Sequence, residues 1–82
     1  MSLSVLIADD EPPALAELAA LLRADERVGE IHQARSGAEA LRVLSETTVA
    51  VAFLDIHMPG LDGLDLARAL QNFHARPAVV FV

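Results

Sequence analysis

Acidic residues follow two apolar runs of the sequence, and their types and spacing favour the binding of a cation. Residues 3–8 run directly into Asp9, Asp10 and Glu11, and residues 49–54 run directly into Asp55. Short apolar runs bounded by turn residues are typical of strands buried on both faces of a parallel sheet. The carboxyl ends of parallel strands share one edge, where ligands bind in open α/β sheets. We therefore expect these acids to meet at that edge.

Three carboxylates at one point repel each other, and a divalent cation relieves that repulsion. The ligands offered are all oxygens, which favours Mg²⁺ or Mn²⁺ over zinc. A carboxylate beside such an ion can attack phosphorus and form an acyl phosphate. If the two strands are adjacent, Asp9, Asp10 and Asp55 form a magnesium site suited to phosphoryl transfer.

Each acid also has a purely structural interpretation. Asp9, Asp10 and Glu11 can be acids at a helix N-terminus, favoured by the helix dipole, and Asp55 can start a turn. The occurrence of both groups after apolar runs favours the site. The side chain of His57 is not expected to bind a metal, because no second His or Cys lies at ligand spacing. Asp62 and Asp65 are interpreted as acids of a helix start.

The elements that must position the acids alternate between strand and helix. The Pro12-Pro13 pair marks a helix start, and Ser36 with Glu39 forms a capping box. The expected order is strand 4–8, helix 12 to about 24, strand 28–34, helix 37 to about 45, strand 49–54, helix 63 to about 72 and strand 78–82. The strand at 28–34 is expected near the sheet edge, and the strand at 78–82 is expected to be buried. Such an order requires right-handed crossovers and parallel pairing.

Helical spacing also predicts which residues face the core, and three stripes result. They are Leu15, Leu18, Ala19 and Leu22 in the first helix, Ala38, Leu41 and Leu44 in the second, and Leu66, Leu70 and Phe73 in the third. His32 and His74 are expected at the surface.

Composition limits the class of protein. The chain has 82 residues, enough for one small domain over residues 1–82, and no cysteine, which excludes disulfides and thiolate metal sites. Six Arg, no Lys and a net charge of −6 argue against a nucleic-acid surface. No apolar stretch approaches the ~20 residues of a membrane helix, so we expect a cytoplasmic protein without membrane contact. The sequence ends within an apolar strand, and we expect a domain incomplete at its C-terminus.

The motifs Asp9-Asp10-Glu11 and LDIHMPGLDG resemble the receiver domain of two-component response regulators. The resemblance implies a flavodoxin-like (CheY-like) α/β fold, a doubly wound parallel sheet of order 2-1-3-4 with the fifth strand missing from this chain. It implies that Asp55 accepts a phosphoryl group from a histidine kinase. It also implies that Mg²⁺ is bound directly by Asp10, with help from Asp9, and by the backbone carbonyl of His57.

The resemblance extends to the loop and to a subfamily. Met58-Pro59 and Gly63 look like the family's residues that shape the loop beyond the acceptor. DDEPPAL with LDIHMPGLDGL is most similar to LytR/AlgR-type receivers, whose output is a DNA-binding domain on the same polypeptide, absent here. The family also has a Ser or Thr after the fourth strand and a Lys after the fifth. This sequence contains neither, so those partners of the phosphoryl group and of signal transmission are missing.

Two alternatives from other classes stay open at this point. A Mg²⁺-dependent phosphatase of the haloacid dehalogenase kind also uses an Asp nucleophile, but its D-x-D-x-T/V motif differs from Asp9-Asp10-Glu11-Pro12-Pro13. A phosphorylation-independent interaction module would instead form a homodimer, or exchange strands, through the apolar strand at 78–82. A receiver is not expected to turn over an external substrate as an enzyme does.

Overall fold

A computed structural model describes residues 2–58, 60, 63–71 and 76–82 of the chain. Strands and helices alternate throughout, as the sequence predicts. They are β1 Leu3–Ala8, α1 Pro12–Arg23, β2 Val28–Ala34, α2 Gly37–Glu46, β3 Val51–Leu54, α3 Gly63–Leu70 and β4 Ala78–Phe81. The predicted cap at Asp62, the burial of Phe73, the exposure of His74 and the loop position of Pro59 lie outside the described residues.

The four strands form one parallel sheet in the order β2-β1-β3-β4. β1 lies in the centre, and four of its six residues, Val5 to Ala8, are buried. β2 lies at an edge, as predicted. The order and the parallel pairing confirm the predicted doubly wound fold.

The helix starts are set by local chemistry. Pro12 and Pro13 occupy the first positions of α1, where a missing N–H costs no helical hydrogen bond. Ser36 caps α2, because its hydroxyl oxygen accepts a hydrogen bond of 3.1 Å from the amide of Glu39. This bond is one half of the predicted capping box. α1 and α2 follow β1 and β2, so each strand ends directly before the turn into a helix.

Apolar side chains form two clusters, one on each face of the sheet. The larger cluster joins the sheet to α2 and α3 and includes Leu6, Ala52, Leu54, Leu66 and Leu70. The smaller cluster joins the sheet to α1 and contains Ile7, Leu15 and Ala19, with Leu18, Leu22, Ile31 and Phe53 packed against it.

Several predicted boundaries and burials differ from the structure. β3 begins at Val51, and its burial alternates, because Val51 and Phe53 lie on the α1 face, which is only partly covered. In α2, Ala40 is buried and Ala38 is exposed, since the core stripe passes through Gly37, Ala40 and Leu44. α3 ends at Leu70, two residues before its predicted end.

The prediction of a buried fourth strand is wrong. Ala78, Val80 and Phe81 are exposed, and Val79 alone of the strand packs against the larger cluster. The reason is the edge position of β4, which has one neighbouring strand among the described residues. β4 also ends at Phe81 and not at Val82, although the amide of Val82 still donates to the carbonyl of Leu54 at 3.0 Å.

His32 is half-buried in β2 and does not lie on the surface as predicted. Its Nε2 atom is buried and has no hydrogen-bond partner among the described residues. His32 pairs in register with Leu6, which belongs to the larger cluster. The side chain therefore lies on the face of the sheet that carries the larger cluster.

No helix within the described ranges has both the length and the apolar character to span a bilayer.

Candidate functional site

Strand pairing brings the predicted acids to one edge of the sheet. Ala8 of β1 pairs with Leu54 of β3, so the next residues, Asp9 and Asp55, lie side by side. The Asp9 amide donates to the carbonyl of Ala34 at 3.1 Å, and the Asp55 amide donates to the carbonyl of Ala8 at 3.0 Å. These bonds continue the ladder past the strand ends and fix the backbone of both acids.

The three carboxylates converge. One oxygen from each of Asp9, Asp10 and Asp55 lies within 4.8 Å of the others, and all three residues are half-buried. Half-burial leaves each group reachable from solvent while removing part of the water that would screen its charge. The structure therefore brings together all three carboxylates that the sequence predicts.

Asp9 and Asp55 make the same local hydrogen bond. Asp9 Oδ1 accepts from the amide of Glu11 at 2.9 Å, and Asp55 Oδ1 accepts from the amide of His57 at 3.0 Å. Both are turns in which an Asp side chain bonds the backbone two residues on. The turn interpretation of Asp55 is thus correct and compatible with a site, because Oδ2 stays without a hydrogen-bond partner in the described structure.

The interpretation of the first acids as helix N-terminal residues is met in position by Glu11 and less well by Asp9 and Asp10. The residue at the N-cap of α1 is Glu11, and its side chain makes no capping hydrogen bond. The first turn of α1 contains no acid. Asp10 is free of hydrogen bonds through its carboxylate within the described part of the chain. The carboxylates at residues 9 and 10 therefore have no structural task in starting the helix beyond the Asp9 turn.

No cation of the protein compensates these acids within the described residues. Arg27 pairs with Asp25 at 2.7 Å, and Arg68 approaches Asp65 at 3.8 Å. Asp25 lies between α1 and β2, near the amino ends of the strands, whereas Asp55 lies at their carboxyl ends. Three negative charges thus share one edge without an arginine partner, an arrangement that a bound cation stabilises.

The donor set fits a small hard cation. Mg²⁺ binds six oxygens at about 2.0–2.1 Å, so opposed ligands of one ion lie about 4.2 Å apart. The three carboxylate oxygens lie within 4.8 Å of one another, which is compatible with that span. His57 is exposed beside this cluster. The role of its carbonyl in holding the ion stays a prediction.

Met58 anchors the loop after β3 in the core. The sequence singles out this residue only through the resemblance to receiver domains. Met58 is 5% exposed and belongs to the larger cluster. Gly60 has φ +75°, a conformation that glycine adopts without strain. The Pro-Gly pair of the sequence predicts a turn after β3. The buried Met58 fixes the chain three residues beyond Asp55.

A parallel sheet ordered 2-1-3-4, with acids at the carboxyl ends of β1 and β3, defines a flavodoxin-like domain with a candidate cation site. The response regulator receiver domain family matches residues 5–82, and the chain belongs to this family. Receiver domains of this family are the signal-receiving parts of two-component systems, and phosphorylation-dependent signalling is their standard role.

Individual relatives agree with this assignment. The positive alginate biosynthesis regulatory protein of Pseudomonas aeruginosa is 41% identical over 96% of this chain and 32% of its own length. The sensory transduction protein LytT of Enterococcus faecalis is 39% identical over 94% of this chain and 32% of its own. Both support the predicted similarity to LytR/AlgR-type receivers. The chain thus spans about a third of these relatives.

Other similar proteins have different outputs or known structures. A protein-glutamate methylesterase/protein-glutamine glutaminase of Myxococcus xanthus is 41% identical over 95% of this chain and 22% of its own length. The crystal structure of the response regulatory domain of protein mrkE from Klebsiella pneumoniae superposes with a TM-score of 0.85. Its sequence is 33% identical, and the match covers 95% of this chain and 64% of that one.

Proposed function

We propose that the chain accepts a phosphoryl group on Asp55 and that Asp9, Asp10 and Asp55, with the carbonyl of His57, hold Mg²⁺ during the transfer. The convergence of three carboxylate oxygens within 4.8 Å, at the carboxyl ends of β1 and β3, is the observation that supports this proposal. When bound, the ion supplies positive charge that offsets the charge on the phosphoryl oxygens.

The two oxygens of Asp55 have different tasks in this proposal. Oδ1 is held by the amide of His57, which fixes the orientation of the carboxylate. Oδ2 attacks phosphorus, and the new O–P bond forms as the bond from phosphorus to the donor breaks. The electron pair of that bond stays on the leaving group, which is a kinase imidazole or the acetate of acetyl phosphate. Water later attacks phosphorus and returns the free carboxylate and inorganic phosphate.

Asp9 and Asp10 prepare the site for this attack. The turn formed by Asp9 and the amide of Glu11 holds Oδ1 of Asp9, and the second oxygen has no hydrogen-bond partner among the described residues. Asp10 keeps both oxygens available, which suits a direct ligand. Positioning and charge neutralisation are the main contributions that phosphoryl transfer requires from a protein.

The partners follow from the family and the relatives. We assign a histidine kinase as the phosphoryl donor and a cytoplasmic location, where such kinases present their phosphohistidine. The regulatory names of the alginate and LytT relatives support a linked output that controls transcription through a DNA-binding domain. The acidic chain itself has a net charge of −6, which argues against DNA binding by this domain.

The methylesterase relative shows that receivers also occur in proteins named as enzymes. That relative is matched over 22% of its length, so its esterase name describes a protein much longer than the matched part. The proposed chemistry at Asp55 modifies the chain itself, and no external substrate is turned over. The receiver match over residues 5–82 supports this role over the haloacid dehalogenase alternative.

The test is incubation of the purified chain with acetyl phosphate and Mg²⁺, followed by intact mass spectrometry. The expected result is the addition of one phosphoryl group, which is removed by mild alkali and absent when EDTA replaces Mg²⁺. Asp55→Asn is expected to abolish the addition. Asp25→Asn is the matched control, because it removes one carboxylate at the opposite edge of the sheet. Equal phosphorylation of the Asp55→Asn and Asp25→Asn variants would contradict the proposal.

A second candidate, self-association, is favoured by the exposed fourth strand. Val80, Phe81 and Val82 are 42%, 40% and 56% exposed, which is high for large apolar side chains. The outer edge of β4 has no strand partner in the described part of the sheet. Such an edge can pair with the same strand of a second copy around a two-fold axis.

Light scattering coupled to size-exclusion chromatography tests the second candidate. A dimer at high protein concentration, lost on Val80→Lys and retained on Leu64→Lys, is the expected outcome. Leu64 is the control because it is 48% exposed on α3 and lies outside the strand edge. A monomer at every concentration would exclude self-association, and it would leave the phosphoryl-acceptor proposal to its own test.

A further inference from the structure

A groove of about 390 Å³ lies between α1 and the edge strand β2, and none of Asp9, Asp10 and Asp55 lines it. Leu15 and Ala19 form its floor and belong to the smaller apolar cluster. Gln33 and Arg35 line it from the β2 side, and Arg23 lines it from the end of α1. The groove therefore combines an apolar floor with basic side chains.

The charge of this groove differs from that of the chain. Two of the six arginines of a chain with a net charge of −6 line it, with Glu39 as its one lining acid. Arg27 and Arg68 pair with neighbouring acids, whereas Arg23 and Arg35 make no ion pair or hydrogen bond through their side chains to any described residue. Two guanidinium groups are thus free to bind anions in an otherwise acidic domain.

The two arginines lie toward opposite ends of the groove. Arg35 directly follows β2, at the carboxyl edge of the sheet, whereas α1 runs back toward the amino edge and ends at Arg23. Leu15 lies in the first turn of α1, near the carboxyl ends of the strands where Arg35 also lies, and it is eight residues, roughly 12 Å along the helix axis, from Arg23. A ligand that contacts both arginines therefore has two separated negative groups.

The outer edge of β2 favours a ligand with an extended backbone. β1 pairs with one side of β2, and the other side has no strand partner within the described residues. An extended peptide beside β2 can use the unpaired amides and carbonyls of that edge. In an extended chain, acids four residues apart are separated by about 13 Å.

We propose that this groove binds an extended acidic segment of a partner protein. Two carboxylates of the segment pair with Arg23 and Arg35, and an apolar side chain between them packs on Leu15 and Ala19. The groove lies on the opposite side of α1 from the surface formed by Leu18, Leu21 and Val82. Binding there leaves the cluster of Asp9, Asp10 and Asp55 open to a phosphoryl donor.

The probe is a synthetic peptide with the sequence Gly-Glu-Val-Leu-Val-Glu-Gly, blocked at both ends, whose alternation places both acids and the leucine on one side. Titration into the full ¹⁵N-labelled chain is followed by NMR. The expected shifts are centred on the amides of Ala16, Ala19 and Gln33. Replacing both acids of the peptide by glutamine is expected to remove most of the binding.

Variants of the chain distinguish peptide binding in the groove from a general attraction between the peptide and the charges of the chain. Arg23→Gln and Arg35→Gln are each expected to weaken binding by up to about fivefold, the upper end of the range for exposed ion pairs. Glu39→Gln is expected to strengthen binding, because it removes the acid of the groove. Arg42→Gln is the control, since Arg42 is exposed on α2 and does not line the groove.

Three results would overturn the proposal. One is equal binding of the glutamine peptide, another is an equal loss of affinity in the Arg42→Gln variant, and the third is a shift map centred on β4. NMR spectra of the free variants show whether each remains folded, so a lost interaction is not confused with an unfolded chain.

Discussion

Asp9 and Asp55 extend neighbouring parallel strands by one residue each, and each binds the amide two residues further on through Oδ1. The bond to the Glu11 amide is 2.9 Å long and the bond to the His57 amide is 3.0 Å long. Two equivalent turns thus hold two carboxylates at adjacent strand ends. The second oxygen of each carboxylate has no hydrogen-bond partner among the described residues. Asp10 adds a carboxylate that no such turn uses, which makes it the most direct probe of the site.

Asp10→Asn is expected to weaken binding of a divalent cation by roughly tenfold or more, the size of losses seen even for groups that only support metal ligands. The reason is the loss of one of three negative charges that face the ion. Mn²⁺ broadening of amide signals near Asp9, Asp55 and His57 measures the affinity, and the chain's lack of Trp and Tyr makes NMR preferable to fluorescence. Unchanged broadening in the variant would contradict a shared site.

The same substitution is expected to stabilise the chain when no divalent cation is present. Two charges 4.8 Å apart repel by about 1 kcal/mol in a water-like medium, and Asp10→Asn removes two such pairs. Chemical denaturation in EDTA is expected to give a higher free energy of unfolding for the variant. In saturating Mg²⁺ this advantage of the variant is expected to shrink, because each tenfold of tighter cation binding adds about 1.4 kcal/mol to the stability of the unmodified chain. A loss of stability in EDTA would show that the three acids do not repel one another.

The Ser36 cap gives a prediction that is independent of the acids. Ser36→Ala removes the hydroxyl that accepts from the Glu39 amide and is expected to cost about 1 kcal/mol of unfolding free energy. Ser45→Ala is the control in the same helix, because its exposed hydroxyl bonds a carbonyl that is already within the helix. An equal loss in both variants would mean that the cap contributes nothing specific.

The lowered pKa of Asp25 predicts a pH dependence of the stability of the folded state. Hydrogen bonds from the side chain and amide of Arg27 lower the pKa of Asp25 from 3.8 to about 2. A lowered pKa stabilises the folded state above the ordinary value, and that contribution is lost as the pH falls from about 3.8 toward 2. NMR titration of the Asp25 carboxyl is expected to show a midpoint near the lower value. Arg27→Gln is expected to return the midpoint toward the ordinary value, and an unchanged midpoint would exclude Arg27 as the cause.

Much of the fold follows from short-range signals in the sequence. Apolar runs, the proline pair and the Ser36 cap locate β1, α1, β2 and α2 to within one or two residues. The pairing of Asp9, Asp10 and Asp55 follows from the strand order, since parallel strands end at one edge.

The errors arose where burial depends on what covers an element. Val80 and Phe81 are apolar enough for a core strand, yet they are exposed because β4 lies at an edge. His32 shows the reverse case, since it is half-buried and its Nε2 atom is buried, although the local sequence predicts a surface position. The turn at Asp55 agrees with the sequence interpretation of that residue, whereas the equivalent turn at Asp9 is not predicted, because it depends on the backbone geometry after β1.

The most direct test of the acceptor site is to locate the phosphoryl group. After reaction with acetyl phosphate and Mg²⁺, borohydride reduces an aspartyl phosphate to homoserine, which tandem mass spectrometry assigns to one position. We predict homoserine at residue 55 and none at residues 9 and 10. Homoserine at either of those positions, or at none of the three, would contradict the assignment of Asp55 as the acceptor.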